Sequence, residues 1–154
     1  MSAIGYTLEE LLPHAGPMIL LDEVVSVSAD AVHARTRPRD DGRLAPAGEG
    51  GLPAWMGMEY LAQSIAAWSG FHELEQGRPV RPGFLVGARS FHSSAARLPC
   101  GVELDVTAER LFEDRDGISV FDGRVSGEGV EQHTRIKVFL PPDLDAYLRD
   151  LEDG

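Results

Sequence analysis

The sequence contains a single cysteine, Cys100, among its 154 residues. One cysteine excludes an internal disulfide and a metal site built from several cysteines. No apolar run approaches the roughly 18 residues that a membrane-spanning helix needs. The N-terminus also lacks a basic patch followed by an apolar segment, the pattern of a signal peptide. We therefore expect a cytoplasmic protein that has no membrane partner.

Basic residues are scarce as well. The sequence has 14 Lys and Arg but 25 Asp and Glu, which gives a formal net charge of −11. This balance argues against nucleic acid as a partner, since its recognition depends on neutralising phosphates with basic side chains. An acidic protein partner would need a local basic cluster, drawn from residues such as Arg78, Arg81, Arg89 and Arg97. The alternative is that these arginines form an ordinary solvated surface.

The chain has the length of one domain and is long enough to bury a core. Its hydrophobic fraction of 43% and charged fraction of 25% are those of a globular protein. No repeat, low-complexity tract or linker divides it, so we expect a single domain over residues 1–154.

The central segment, residues 54–75, contains no proline and is apolar around nearly its whole circumference as far as Phe71. Such a segment predicts a buried helix, which Gly77 and Pro79 would end. A short helix is predicted over residues 7–12, with Thr7 as N-cap and Glu10 as its capping-box partner.

Most of the remaining chain predicts β-strands, because it contains segments rich in apolar and β-branched residues between turn signals. Residues 102–109 alternate cleanly between apolar and polar, the period of a strand with one buried face. The expected class is α+β, with one buried helix and five or six mostly antiparallel strands; this pattern alone also permits several α+β folds. The predicted strands are residues 18–28, 31–37, 84–91, 102–112, 118–125 and 133–139, followed by a short helix over residues 144–151.

Glu59 is the only ionisable carboxylate between Trp55 and Phe71, in the most apolar helix of the chain. An ionised carboxylate is costly to bury unless it is paired, so this position suits a general acid or base. Gln63 lies one turn further on and shares its face, where an amide can orient the carboxylate. The alternative is that Glu59 lies on a narrow exposed stripe or in a structural hydrogen bond.

His14 precedes the first predicted strand, and histidine is the usual proton carrier at neutral pH. Taken alone it is more often a surface or structural residue. The other histidines have no partner at a metal-ligand spacing, and the sequence contains no phosphate-binding loop or dinucleotide fingerprint. We therefore expect neither a metal nor a cofactor.

Three motifs, in order and with similar spacing, resemble those of the 3-hydroxyacyl-(acyl carrier protein) dehydratases. They are Leu-Pro-His at residues 12–14 with Pro-Met-Ile-Leu-Leu-Asp at 17–22, Glu-Tyr-Leu-Ala-Gln at 59–63, and Gly-Ala-Arg-Ser-Phe at 87–91. The most similar branch is the dehydratase-like subunit of aryl polyene biosynthesis. The resemblance implies a hot-dog fold, in which a curved antiparallel sheet wraps a long central helix.

The same resemblance implies a homodimer or heterodimer of hot-dog subunits that acts on acyl groups carried by acyl carrier protein. In the family, a histidine of one subunit and an acid of the other form the site, and the helix N-terminus, here Ala54 and Trp55, polarises the thioester carbonyl. The family histidine lies fourteen residues before the acid, where this sequence has Ala45. Pro53 and Gly48 match the family's proline and glycine and support that register.

Three functions therefore remain open. The first is a dehydratase, alone or as a subunit, in which Glu59 is the acid, Gln63 contacts substrate, and His14 or a partner's histidine is the base. The second is a non-catalytic hot-dog subunit that binds an acyl chain or steadies a complex. The third is an acyl thioesterase, in which Glu59 would activate water.

Overall fold

A computed structural model of the protein describes residues 4–13, 18–42, 46–140, 149 and 151–152. Within these ranges the helices are α1 (Leu8–Leu11) and α2 (Met56–Glu75). The strands, in chain order, are β1 (Glu23–Val27), β2 (Ala31–Thr36), β3 (Leu52–Pro53), β4 (Phe84–Ser93), β5 (Arg97–Leu98), β6 (Leu104–Glu113), β7 (Ile118–Gly127) and β8 (Val130–Phe139).

Six strands form one antiparallel sheet in the order β1-β2-β6-β7-β8-β4, and the short β3 and β5 pair separately. Strands β6, β7 and β8 follow one another as a meander. Its two turns contain Gly117 (φ +94°) and Gly129 (φ +74°), which adopt the left-handed backbone that glycine tolerates without a steric penalty. Strand β4, which follows α2 in the chain, lies at the edge of the sheet beside β8.

Helix α2 packs on the inner face of this sheet, which confirms the hot-dog arrangement that the family resemblance implied. Trp68 of α2 meets Phe121 of β7 edge-on, with ring centroids 5.2 Å apart. Leu61 lies so close to Gly123 that a Cβ there would come within 3.0 Å of the leucine side chain. The alternating inner residues of β6 that the sequence identified are buried, namely Leu104, Val106 and Ala108.

Most predicted elements are confirmed with small shifts of their ends. The capping box forms, since the Glu10 amide donates to Thr7 Oγ1 and the Thr7 amide to Glu10 Oε1. The strand predicted over residues 18–28 covers only Glu23–Val27. The backbone at Leu20 bonds to side chains: its carbonyl accepts a hydrogen bond from Thr36 Oγ1, and its amide donates to Gln63 Oε1. Most of the helix predicted over residues 144–151 lies outside the described residues.

The outer face of the sheet carries a charged cluster that should make stability depend on pH. Asp105 Oδ1 lies 2.6 Å from His33 Nε2 and 3.1 Å from Arg35 Nε. The His33 hydrogen bond is the largest of the contacts that hold the pKa of Asp105 below its usual range. A depressed folded-state pKa contributes stability above the unfolded-state pKa of about 3.9, and this is lost as pH falls through the lowered value.

We therefore expect Asp105→Asn to lower the urea midpoint at pH 7, with a difference from wild type that shrinks as the pH falls below about 4. Urea unfolding at several pH values measures this difference. Asp116→Asn, at an exposed turn position, is the matched control and should show no such trend. A difference for Asp105→Asn that stays constant down to pH 3 would contradict this account.

Candidate active site

Glu59 lies in the first turn of α2 and is half-buried. Its side chain lines a pocket of about 230 Å³ between α2 and the edge of the sheet formed by β4 and β8. The other lining residues are mostly apolar: Met18, Ala62, Gln63, Ile65, Ala66, Gly83, Phe84, Leu85, Val138 and Leu140. The structure therefore places this carboxyl in a largely apolar cleft.

One stripe of α2 explains why the cleft is open. Glu59, Ala62, Ala66 and Ser69 are spaced three and four residues apart, so they share one face of the helix. Each of them is half-buried, whereas the next helical faces hold buried residues such as Leu61. The expectation of a helix buried all round is thus corrected, since two alanines after Glu59 leave space along one side.

The Glu59 carboxylate has no hydrogen bond or ion pair with any other residue that the structure describes. A structural role would require such a partner, because a carboxylate in apolar surroundings is costly without one. A carboxyl that is partly enclosed but not engaged by the protein remains available to a bound molecule. This arrangement suits proton exchange with a ligand.

Contrary to the sequence prediction, Gln63 does not orient the Glu59 carboxylate but binds backbone groups. Its Oε1 accepts a hydrogen bond from the Leu20 amide at 2.8 Å, and its Nε2 donates to the Met18 carbonyl at 2.6 Å. Both ends of the amide therefore hold the backbone that precedes β1, rather than the carboxylate one turn away. Gln63 still forms part of the pocket wall.

The backbone just before α2 is held by a residue that the sequence analysis missed. Gln132 of β8 is buried, and its Nε2 donates to the Ala54 carbonyl at 2.9 Å and to Ser93 Oγ at 3.0 Å. Gly57 makes room for it, because a Cβ at that position would lie 1.7 Å from Gln132 Oε1. The available signal was a long amide side chain on the inward face of β8, whose other buried residues are apolar except for Thr134.

The predicted carbonyl-binding amides, those of Ala54 and Trp55, lie at this end of α2. The helix begins at Met56, two residues later than predicted, and Trp55 is its N-cap without a side-chain capping bond. The Trp55 side chain is 47% exposed. Glu59 is four positions after Trp55, a rise of about 6 Å along the helix axis, so the two candidate groups lie at the same end of α2.

The remaining candidates are dispersed or lie outside the described residues. His14 falls outside them, as does Ala45. The four arginines do not form one cluster: Arg78 and Arg81 bind Glu73, Arg97 Nη1 donates to the Gly51 carbonyl, and Arg89 lies on the edge strand β4.

Neither a metal cluster nor a membrane-spanning segment is found within the described ranges. There, no group of three or more His, Cys, Asp or Glu side chains is placed to hold a metal ion. None of the described helices is long and apolar enough to cross a membrane.

The chain is similar to several proteins of known structure. It is similar to a chain of the dehydratase heterocomplex ApeI:P from Xenorhabdus doucetiae, with 30% identity, 95% of this chain and 97% of that chain covered, and a TM-score of 0.81. AziG of S. sahachiroi shares the fold at 16% identity, with 85% and 98% coverage and a TM-score of 0.61. A hypothetical thioesterase from Streptococcus pneumoniae TIGR4, solved with coenzyme A, shares it at 17% identity, with 76% and 83% coverage and a TM-score of 0.55.

No curated protein matches the sequence significantly. The family model described as ApeP-like, ApeP dehydratase, matches residues 6–149, nearly the whole chain. Together with a solved relative at 30% identity over 95% of the chain, this match confirms the family predicted from the motifs. The chain belongs to the ApeP-like dehydratase family.

Proposed function

We propose that the chain is a 3-hydroxyacyl-(acyl carrier protein) dehydratase, or the acid-bearing subunit of one, in fatty acid or polyene biosynthesis. The observation that carries this proposal is the half-buried Glu59 carboxyl, which lines an apolar cleft and has no partner among the described residues. Such a cleft fits an acyl chain, because ligand pockets are mostly apolar with a few placed polar groups. Membership of a dehydratase family supports the same chemistry.

The reaction removes an α-proton from the 3-hydroxyacyl thioester and expels the 3-hydroxyl as water, which leaves a 2-enoyl thioester. In this proposal, protonated Glu59 donates its proton to the departing hydroxyl as a general acid. The amides of Ala54 and Trp55 bind the thioester carbonyl and stabilise the negative charge that develops there. Gln63 contacts the substrate as part of the pocket wall. These steps need neither a metal nor a cofactor.

The base that takes the α-proton has two candidate sources. His14 lies four residues before Met18 in the sequence. Met18 lines the Glu59 pocket, and its carbonyl accepts a hydrogen bond from Gln63 Nε2. Four residues of chain span at most about 14 Å, so His14 is a candidate from within. The other source is a histidine from a homologous partner subunit, which the position of Ala45 in the family motif favours.

The acyl group would arrive on acyl carrier protein, and the working form would be a homodimer or a heterodimer of hot-dog subunits. The relative at 30% identity is part of a dehydratase heterocomplex, which supports the heterodimer. In that assembly this chain contributes the acid and the helix terminus, and the partner contributes the base. A non-catalytic subunit and a thioesterase are the alternatives.

The first test is turnover of 3-hydroxyacyl-(acyl carrier protein) by the purified chain, alone and with a histidine-bearing hot-dog dehydratase subunit. We expect 2-enoyl product, measured by mass spectrometry of the carrier-bound acyl group, without release of the free carrier thiol. If the chain alone is active, His14→Ala should abolish its turnover, whereas turnover only in the mixture assigns the base to the partner.

Two results would contradict the dehydratase proposal. Release of the free carrier thiol without enoyl product would identify a thioesterase. If neither product forms in either sample, the chain is a non-catalytic subunit.

A further inference from the structure

The edge strand β4 exposes more apolar surface than a solvated strand normally does. Its residues 84–90 are all exposed, and Leu85 and Val86 are 51% and 55% accessible. Because β4 is the last strand of the sheet, its outer backbone edge has no neighbouring strand among the described residues. A long exposed edge strand of this kind is a template for pairing with another chain.

Positive charge accumulates on the outer face of the sheet beside this edge. Arg89 of β4 lies directly opposite Arg135 of β8, and Lys137 lies opposite Gly87. Like charges directly opposite one another on neighbouring strands destabilise the pair. None of the three forms an ion pair with a described residue, and together they line a depression of about 420 Å³. Arg89, Arg135 and Lys137 are called the edge cation cluster below.

Nearby acidic residues form no ion pair with this cluster. Asp122 of β7 lies opposite Arg135, but its carboxylate contacts His133 Nε2 at 2.6 Å and Arg124 Nε at 3.6 Å. Glu131 is at the other end of β8, where its backbone bonds to Ser94. A chain with a net charge of −11 thus concentrates unpaired positive charge beside its exposed edge.

Symmetry determines what a second copy of this chain would meet at the edge. Two copies that pair through antiparallel β4 strands are related by a two-fold axis perpendicular to the sheet. This axis keeps the outer face of each copy on the same side. The edge cation clusters of both copies would therefore lie on the same surface of the joined sheet, one on each side of the seam between the two β4 strands.

We propose that the edge cation cluster disfavours pairing of β4 with a second copy of this chain and selects a homologous subunit whose edge strand carries acidic side chains on its outer face. This inference rests on the proposed function, since that subunit is the one that would supply the missing base. Such charge complementarity gives specificity, because a second copy of this chain would bring the same positive charges to the interface and repel the first. The exposed apolar residues of β4 supply the area that either pairing would bury.

The test uses the full chain and a charge-reversed copy that carries Arg89→Glu, Arg135→Glu and Lys137→Glu. At about 10 mM salt, we expect the mixed pair to associate at least about tenfold more tightly than either protein with itself. At about 1 M salt, screening should remove this preference. Analytical ultracentrifugation with one labelled partner measures both constants, and circular dichroism checks that the variants fold.

Two matched variants keep the test selective. A neutralised copy with Arg89→Gln, Arg135→Gln and Lys137→Gln should associate with itself more tightly than wild type at low salt. A control copy with Arg37→Glu, Arg78→Glu and Arg149→Glu has the same net charge as the reversed copy but changes exposed residues outside β4 and β8. This control should give no mixed-pair preference.

The proposal is overturned if wild type self-associates as tightly as the mixed pair and without salt dependence. It is also overturned if the mixed pair gains nothing while the neutralised copy loses turnover of carrier-bound substrate, since the cluster would then serve the carrier protein. Association is measured without substrate, so this test stays decisive even if the chain has no dehydratase activity.

Discussion

Replacing Glu59 by glutamine should lower dehydration turnover by about a thousandfold, which is within the range that general acid–base catalysis contributes. Glutamine has nearly the same volume but cannot deliver a proton to the departing hydroxyl. The side chain has no hydrogen bond or ion pair to lose among the described residues, so the fold should be unaffected. The loss should appear mainly in kcat, because the apolar walls that would hold the acyl chain are unchanged.

Steady-state turnover of the active form, with a partner subunit if one is needed, measures this effect. Glu75→Gln is the matched control, because it makes the same chemical change on an exposed part of the same helix. It should retain turnover close to wild type. Near-normal turnover by Glu59→Gln would remove Glu59 from the mechanism and favour an acyl-binding role for the cleft.

Gln63→Leu should destabilise the fold by about 2–4 kcal/mol. The substitution removes both hydrogen bonds that join α2 to the segment before β1, to the Leu20 amide and the Met18 carbonyl. A buried donor left without a partner costs about 1–3 kcal/mol, and loss of the second bond adds to this. Leucine is similar in size to glutamine, so a cavity contributes little.

Urea unfolding measures this change. Gln76→Leu, at the exposed C-cap of α2, is the control and should stay within about 0.5 kcal/mol of wild type. Because Met18 also lines the Glu59 pocket, Gln63→Leu should reduce turnover even at temperatures where the variant is fully folded. Unchanged stability would show that water or another side chain replaces the amide, which would contradict the role assigned to Gln63.

The sequence was sufficient to predict the elements whose signals are local. Helix α2 was recognisable from an apolar segment without proline, and α1 from the Thr7 and Glu10 capping pair. Strand β6 showed the period of two that a half-buried strand imposes, and its inner residues are buried as expected. In each case the neighbouring residues in the chain carry the information.

Features set by distant residues could not be predicted in the same way. The segment before β1 was predicted as a strand because it is rich in apolar residues such as Ile19, Leu20 and Leu21. These residues are buried, but the Leu20 amide donates to Gln63, 43 positions away in the chain. The four arginines from which an acidic partner would need a basic cluster do not form one, and a group of cations without ion pairs occurs where Arg89 lies beside β8. Only the register of β4 and β8 brings that arginine to Arg135.

The sequence separation of the pocket walls affects how the protein assembles. Strands β6, β7 and β8 are joined by tight turns, so their contacts are local and can form early. The pocket, in contrast, combines Met18, the first turns of α2, the start of β4 and the end of β8. Ordering these distant segments requires closure of long loops, whose entropic cost must be met before the contacts form. The meander should therefore fold before the cleft, and partial unfolding should abolish acyl binding while much of the sheet persists.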